Sequence, residues 1–308
     1  MTAAAPKRTA LVLTNPTAGH GRGKRAIEPA LAALREHRLD VEMVWANSRD
    51  EALTRCAEGA AAHPDLLVSI GGDGTHAVAV QAAVAHQVPL AIVPAGTGND
   101  LARGLRIPRR SPKAAIAVAT SGHLTALDVV RARTGDSERY VATVLTAGFD
   151  SRVADRTNAL TWPGGQARYL LAIAIEYARL RAEPMRVVVD GKVVHDGPAI
   201  LTAVGNTESY GGGMRICAGA DPRDGLLNIT VIGAVKHPRL ELPLVLPKVF
   251  RGTHFRHPAV HPFQGRRVEV EAPTTGYADG DSVGTLPAHL EVVPGALKMM
   301  LPRSSPDD

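Results

Sequence analysis

The sequence has 308 residues, of which 45% are hydrophobic and 21% are charged. This composition is typical of a folded globular protein and excludes collagen-like and highly charged disordered chains. Lys and Arg exceed Asp and Glu by 35 to 30, a formal net charge of +5, which suits a partner that carries phosphates but also simply keeps a protein soluble.

Cysteine usage and hydropathy indicate where the protein works. Cys56 and Cys217 lie far apart and in no metal-ligand spacing, so the sequence predicts neither a disulfide framework nor a zinc site and favours a reducing compartment. No stretch approaches the roughly 18 apolar residues of a membrane span, and the apolar run at 10–13 is too short for the core of a secretory signal. We therefore expect a cytoplasmic protein that meets membranes only from their surface.

The first 127 residues alternate strand and helix signals. Short apolar runs predict strands, and the runs between them with helical spacing or rich in Ala predict helices. The predicted strands are 9–13, 41–45, 66–70 and 90–93, and the predicted helices are 27–37, 50–62 and 76–85. Strands that alternate with helices favour a parallel sheet covered on both faces, an α/β domain over 1–127.

The character of the sequence changes near Leu127. Shorter, Val-rich segments separated by turns now predict strands, and Asp190-Gly191 between two apolar runs is a strong hairpin signal. One helix is expected, over 166–180. The pattern favours an antiparallel β-sandwich domain over 128–293, and it leaves open whether the C-terminal segment 294–308 returns to the first domain.

The strongest local signal is the run Gly71-Gly72-Asp73-Gly74-Thr75, between a predicted buried strand and a helix. Glycines let the backbone approach a polyphosphate closely, and the helix N-terminus adds a favourable partial charge. Asp73 repels a bare phosphate, so a role at a phosphate site requires Mg²⁺, its water shell or a ribose hydroxyl. The structural alternative is a glycine-rich turn in which Asp73 caps the following helix.

A second glycine-rich loop, 94–103, follows the next predicted strand. Thr97 and Asn99 offer neutral hydrogen bonds, and Arg103 offers a charge that favours phosphate. In the alternative interpretation, Asn99 or Asp100 merely caps a helix.

A third loop, 15–25, follows the first predicted strand and combines glycines with Arg22, Lys24 and Arg25. Alone it is a weak motif, because basic glycine-rich loops are common. The carboxyl ends of parallel strands share one edge of a sheet, so we expect the three loops to converge where such sheets bind ligands.

The three motifs together resemble a known family. NPTAGHGRG from Asn15, GGDGT from Gly71 and PAGTGNDLARGL from Pro94, in that order, resemble the diacylglycerol kinase catalytic-domain family, in its bacterial soluble branch that is related to sphingosine and ceramide kinases. The resemblance continues over nearly the whole chain, through Gly205-Asn206-Thr207 with Gly211-Gly212-Gly213, Asp221 to Leu227, and Asp279-Gly280-Asp281. GGDGT alone also occurs in NAD kinases and ATP-dependent phosphofructokinases, whose other motifs are not found here.

The resemblance implies a nucleotide-binding α/β domain, a β-sandwich domain and an active site in the cleft between them. The residues implied to hold the nucleotide are Asn15, Gly71, Gly72, Asp73, Gly74, Thr75 and Thr97, with Asn99 and Arg103 completing the site. Asp73 is also counted as catalytic. Asp224 matches the aspartate of a structural magnesium site, with the backbone carbonyls of Asp221 and Leu226 as further ligands.

Asp281 matches the acidic residue that acts as general base on the lipid hydroxyl, where many family members have Glu. A carboxylate on a glycine turn suits this role, because phosphoryl transfer asks the protein to position the nucleophile and accept its proton. Without the resemblance, the residues alone favour a plain β-turn in which Asp279 and Asp281 are both solvated.

The resemblance implies an ATP-dependent lipid kinase that transfers the γ-phosphoryl group to a lipid hydroxyl, with Mg²⁺ as cofactor and ATP as co-substrate. Diacylglycerol is the leading acceptor, and a sphingoid or other lipid-like alcohol is the alternative. Basic and apolar residues interleave over 237–263, which fits docking on an anionic lipid surface and equally fits a core helix with a solvated face.

Other functions are less consistent with the motifs. An NAD kinase is disfavoured by Asn15-Pro16 and by the run 96–99, and a non-catalytic nucleotide-binding regulator is disfavoured by the carboxylates of Asp73 and Asp281. Nucleic-acid binding has no support beyond net charge, since 4% of residues are aromatic and no recognised module is present. The sequence leaves open whether the protein forms a homodimer.

Overall fold

The computed structural model describes residues 8–15, 18–135, 137–163 and 165–303. The chain divides into two compact units. One contains the residues up to Asp128 together with those from Pro294 onward, and the other is Val129–Val293.

The first unit is a parallel sheet with helices. Its strands are β1 (Arg8–Thr14), β2 (Leu39–Val44), β3 (Leu66–Gly71) and β4 (Leu90–Pro94), and its helices are α1 (Ala18–Glu36), α2 (Arg49–Ala61), α3 (Asp73–His86), α4 (Asp100–Gly104) and α5 (Pro112–Ser121). The strands pair in the order β2-β1-β3-β4, all parallel. Every residue of β3 and β4 is buried, as expected for strands covered on both faces.

The C-terminal segment lies in this first unit. It forms the end of strand β15 (Ala288–Leu301), in which Met299 pairs with Leu90 of β4. The amide of Gly295 donates to the Asp128 carboxylate over 2.8 Å. Sequence could not settle where this segment goes, because its partner strand is about 200 residues away along the chain.

Helix α1 begins earlier than the sequence suggests. We expected a loop over 15–25, but the helix begins at Ala18, so Arg22, Lys24 and Arg25 are exposed on a helix. The glycines of this segment and Pro29 disfavour a helix locally, whereas buried residues farther along, among them Leu31, hold it on the core. Of the predicted loop, Pro16 and Thr17 lie outside the described residues.

The second unit is antiparallel. Its strands are β5 (His123–Thr134, which begins in the first unit), β6 (Ser137–Val141), β7 (Val144–Gly148), β8 (Glu183–Val189), β9 (Lys192–Gly205), β10 (Leu227–Gly233), β11 (Val260–Gly265), β12 (Arg267–Glu271), β13 (Thr275–Ala278), β14 (Asp281–Thr285) and the start of β15. They pair in the order β14-β13-β7-β9-β8-β12-β15, and β10 joins β9 to β11. The predicted combination of a parallel α/β region and an antiparallel sandwich-like region is confirmed.

Two buried clusters flank the sheet of the second unit. Val144 and Leu145 are adjacent on β7 but belong to different clusters, as the alternation of side chains along a strand requires. One cluster is made by strands alone, and the other also includes residues of the helix α8 (Pro238–Arg251).

The expectation of a single helix in this unit was wrong, because α6 (Phe149–Ala159) and α8 accompany α7 (Gly165–Ala178). Helix α6 buries only Ser151 and Val153, too few apolar positions for a periodic signal. Helix α8 contains Pro243 and Pro247, residues that normally exclude a helix interior. Within the described ranges, no helix is both long and apolar enough to cross a bilayer.

Candidate active site

The loops that follow β3 and β4 in the first unit pack directly against each other. The amide of Ala95 donates to the carbonyl of Gly71 over 2.7 Å. A Cβ on Gly96 would lie 2.5 Å from the Cα of Gly72, a distance that real Cβ atoms do not reach. Glycine is therefore required at this crossing so that the two backbones can meet, and not only so that a polyphosphate can approach.

The run from Gly71 to Thr75 turns from β3 into α3. A Cβ on Gly71 would lie 2.4 Å from the Thr75 hydroxyl, so the Thr75 side chain folds back over the end of β3. Asn15 is close by, because its backbone N–H donates to the carbonyl of Ile70 over 3.1 Å. Gly74 is exposed.

Asp73 joins the two loops through its carboxylate. Its oxygens accept hydrogen bonds from the backbone amides of Asn99 (2.7 Å), Asp100 (2.7 Å) and Leu101 (3.4 Å). These amides lie at the N-terminus of α4, so Asp73 caps α4 and not α3, the helix that we had considered. The expectation that this carboxylate makes sense only beside Mg²⁺ or a ribose was too narrow, because it has backbone partners of its own.

Two effects oppose each other at Asp73. Burial raises the pKa of this carboxyl above its ordinary value, and the three backbone hydrogen bonds offset only part of that effect. A half-buried anion held by amides is thus placed at the edge of the sheet where ligands of such folds bind.

Asn99 shapes the second loop from inside. It is buried and has a left-handed backbone with φ of 53°. Its Oδ1 accepts from the amide of Gly96 and its Nδ2 donates to the carbonyl of Gly96, both over 2.9 Å. The side chain that sequence assigned to the nucleotide is therefore engaged within its own loop, whereas Thr97 is exposed at the tip.

Positive charge accumulates behind this loop. The Arg103 guanidinium lies 3.5 Å from the buried carboxylate of Asp100 and also contacts the carbonyl of Gly98. Burial lowers the pKa of Arg109, and the neighbouring charges of Arg103 and Arg110 lower it further. Three arginines close enough to repel one another form a field that favours an anionic ligand.

Asp281 lies in the second unit, at the end of a two-residue hairpin turn. Asp279 and Gly280 have φ of 51° and 87°, the left-handed pair of a type I′ turn. Asp281 is the first residue of β14, pairs with Ala278 and is half-buried. A tight turn of this kind fixes the direction in which the following residue leaves it.

The turn is anchored by Asp279, which is not solvated as the plain β-turn interpretation requires. Its carboxylate accepts from the amides of Ala142 and Thr143, both over 3.1 Å, and from the Thr143 hydroxyl. Asn206 holds the same segment, since its Nδ2 donates to the carbonyl of Ala142 over 3.1 Å. Two distant motifs thus meet at Ala142–Thr143, a pair that carries no motif and that sequence reasoning missed.

The predicted magnesium residues form a separate turn in the second unit. The exposed Asp224 carboxylate accepts from the amide of Leu226 over 2.9 Å, and the Asp221 carbonyl accepts from the amide of Asp224 over 3.3 Å. The Asp221 carboxylate is paired with Arg223. Carboxylate and carbonyl oxygens are the ligand types that Mg²⁺ prefers, and each can accept a second interaction, so the chemistry of the turn is compatible with the predicted ion.

The predicted site differs from an all-side-chain metal centre. Among the described residues, no cluster of three or more His, Cys, Asp or Glu side chains could hold a metal ion. Any ion at this turn would therefore rely mainly on backbone carbonyls and water.

A further titratable pair that the sequence did not reveal lies in the second unit. The Tyr210 hydroxyl donates to the carboxylate of Asp150 at the start of α6. Burial raises the pKa of Asp150 to about 6, against the opposing effects of Tyr210 and Arg152. No local sequence pattern connects the two residues, which are 60 positions apart.

Comparisons with known proteins show the family to which the chain belongs. Residues 9–132 match the diacylglycerol kinase catalytic domain, and residues 143–301 match the YegS C-terminal NAD kinase beta sandwich-like domain. A Mycobacterium tuberculosis protein named diacylglycerol kinase is 39% identical over 293 residues, which cover 94% of each chain. A Pectobacterium atrosepticum protein named "probable lipid kinase YegS-like" is 30% identical over 306 residues, 96% of each chain.

Solved structures extend the likeness to the fold. A Bacillus anthracis protein provisionally named a diacylglycerol kinase superposes with a TM-score of 0.77 at 22% identity, covering 100% of this chain and 99% of that one. An NAD kinase from Archaeoglobus fulgidus, solved with ATP, superposes with a TM-score of 0.51 at 16% identity, covering 95% of this chain and 93% of that one. This likeness shows a shared fold alone. The two matched domains and the two relatives show that the chain is a phosphotransferase and belongs to the diacylglycerol kinase family of lipid kinases.

Proposed function

We propose that this enzyme transfers the γ-phosphoryl group of ATP to the free hydroxyl of diacylglycerol, giving phosphatidic acid and ADP. The observation that carries the proposal is the identity of 39% across 94% of both chains with a protein named diacylglycerol kinase. The matched span covers nearly the full length of both proteins. Because the acceptor is a bilayer lipid, the enzyme would work at a membrane surface.

The nucleotide is assigned to the strand-end loops of the first unit. The amides at the start of α3, the exposed Thr97 and the cation of Arg103 would bind its phosphates, beside Asn15 and Thr75. Mg²⁺ bound with ATP would neutralise charge on the transferring group. Arg103→Lys should raise KM for ATP while Lys113→Arg, a charge-conserving change on α5, leaves it unchanged; equal effects of the two would count against this assignment.

Asp281 is proposed as the general base. A lipid hydroxyl is a poor nucleophile, and a positioned carboxylate contributes on the order of 10²- to 10⁴-fold by accepting its proton. The anchoring of the turn by Asp279 supports this role, since a base must be held in a fixed geometry. Asp281→Asn should lower kcat by that factor with KM for ATP little changed, and Asp281→Glu should recover much of the rate.

The experiment measures phosphatidic acid formed from diacylglycerol in mixed micelles. Asp196→Asn is the matched control, because Asp196 is a carboxylate of the same unit with a side chain 70% exposed. A wild-type enzyme that labels no lipid would remove the proposed activity. An Asp281→Asn variant that keeps the full rate would remove the assignment of the base.

Asp224 is proposed to stabilise the second unit through a magnesium ion. Asp224→Ala should lower the thermal midpoint and abolish the stabilisation that added Mg²⁺ gives to the wild-type protein. Equal shifts with Mg²⁺ in both proteins, measured without nucleotide, would contradict the proposal.

A further inference from the structure

Helix α8 presents apolar side chains to solvent. Leu240 and Leu244 are 70% and 69% exposed, and Leu246 and Phe250 are 43% and 49% exposed. The exposed apolar residues, which we call the outer face of α8, are Leu240, Pro243, Leu244, Leu246, Pro247 and Phe250. The spacing of 240, 243, 244 and 247 places these residues on one side of a helix.

Packing within the second unit does not explain this face. The opposite side of α8 carries Val245 and Val249, which are buried in one of the two clusters of the unit. A helix with one apolar side in the core normally has a polar outer side. Adjacent exposed apolar residues of this kind usually mark an interaction surface.

The outer face is held in a fixed orientation. Pro243 has no amide to donate to the carbonyl of Arg239, and the Tyr177 hydroxyl donates to that carbonyl instead. The Arg239 guanidinium donates in turn to the carbonyl of Ala178 over 2.6 Å. The two hydrogen bonds connect the start of α8 to the end of α7. The exposed leucines therefore lie on a helix that is held in place by its neighbour.

The charges around α8 select the kind of partner. Residues 236–257 contain five Lys or Arg and one carboxylate, in a chain whose formal net charge is +5. That carboxylate, Glu241, is occupied by the amide of His237 at 3.2 Å and by the ring of His257 at 3.5 Å. Lys248 and Arg251 are exposed beside the apolar residues.

An apolar helix face edged by cations fits the boundary of an anionic bilayer, where leucines enter the acyl region and cations meet the headgroups. A second copy of the same face would bring the cations of two molecules together, which opposes self-association.

We infer that the outer face of α8 is the surface with which this protein docks on an anionic lipid bilayer. The choice of a bilayer as partner rests on the proposed function, in which the acceptor is a membrane lipid. The docking itself is independent of catalysis and can be measured without it.

The test is sedimentation with vesicles of phosphatidylcholine and phosphatidylglycerol that contain neither ATP nor diacylglycerol. The double variant Leu240→Glu, Leu244→Glu should bind at least about tenfold more weakly than the wild-type protein. The double variant Lys248→Glu, Arg251→Glu should lose on the order of tenfold or more on anionic vesicles, and added salt should weaken the wild-type protein in the same way. Leu124→Glu is the matched control, because Leu124 is 52% exposed in the first unit.

A fluorophore provides a second measurement that does not depend on disruptive substitutions. Cys56 and Cys217 are free but buried, so a surface cysteine can be labelled selectively. An environment-sensitive label on Leu244→Cys should shift to the blue with anionic vesicles, and the same label on Leu124→Cys should not.

Three results would overturn the inference. The wild-type protein would not bind anionic vesicles, or the leucine double variant would bind them as tightly as the wild-type protein. In the third result, the leucine double variant would differ from the wild-type protein only in oligomeric state. Phosphorylation of dispersed short-chain diacylglycerol is measured separately. If the wild-type protein does not phosphorylate this substrate, the proposed function is wrong, but the docking result is unaffected.

Discussion

Replacing Asp73 by Asn should destabilise the protein as well as impair catalysis. The two carboxylate oxygens accept hydrogen bonds from three backbone amides. Oδ2 accepts from Asn99 over 2.7 Å, and Oδ1 accepts from Asp100 over 2.7 Å and from Leu101 over 3.4 Å. The Asn side chain has only one acceptor oxygen. Its NH₂ group would take the place of the second oxygen and would face a backbone N–H that needs an acceptor. Losing one charge-assisted hydrogen bond and leaving that donor unsatisfied costs about 2–3 kcal/mol of unfolding free energy. Because burial raises the pKa of Asp73, a neutral Asn recovers part of this cost by avoiding the desolvation of a charge, and we expect a net fall in the thermal midpoint on the order of 5 °C.

The assay combines urea unfolding with amide hydrogen exchange. Exchange at Asn99, Asp100 and Leu101 should be faster in Asp73→Asn than in the wild-type protein. Asp65→Asn is the control, because among the described residues the exposed Asp65 carboxylate accepts one backbone hydrogen bond, from the amide of Thr9 at 2.7 Å. Its loss should cost about 1 kcal/mol or less. Unchanged stability and unchanged exchange in Asp73→Asn would refute the reasoning, and any loss of kcat could then be assigned to the nucleotide or its Mg²⁺ alone.

Further substitutions test the other contacts. Gly96→Ala places a Cβ against the Cα of Gly72 and should lower unfolding free energy by about 1–3 kcal/mol, whereas Gly74→Ala, at an exposed helical position, should be neutral or stabilising in thermal melts. Asp279→Ala removes the acceptor of two backbone amides and should lower the thermal midpoint more than Asp196→Ala does. Because burial raises the pKa of Asp150 to about 6 from 3.8, its protonated form favours the folded state below pH 4, and that contribution is lost as the pH rises through 6. Asp150→Asn should therefore gain stability relative to wild type between pH 4 and pH 7, by up to about 3 kcal/mol; a difference that does not change with pH would contradict this.

The parallel region was predictable because its signals are local. Each strand is an apolar run, and the glycine-rich loops follow the strands directly, so the edge at which they meet follows from the topology. Within those loops, the contacts between residues could not be predicted. The hydrogen bonds of Asp73 to the start of α4 join residues 26 to 28 positions apart, and no local pattern encodes such a pairing.

The second unit was less predictable for the same physical reason. Helix α8 forms although Pro243 and Pro247 lie inside it, since the Tyr177 hydroxyl replaces a missing backbone donor and Val245 and Val249 pack into the core. The anchor between Asp279 and Thr143 joins residues 136 apart. Tertiary contacts of this range override local propensity, and one sequence does not reveal them.

The acceptor assay tests the central claim most directly. Wild-type enzyme is incubated with γ-labelled ATP, Mg²⁺ and equal mole fractions of diacylglycerol, monoacylglycerol, sphingosine and ceramide in the same mixed micelles, and the labelled lipids are separated. We expect the label to appear predominantly in phosphatidic acid, and to fall on the order of 10²-fold or more with Asp281→Asn. Label that appears mainly in a sphingoid phosphate, or in no lipid at all, would contradict the account.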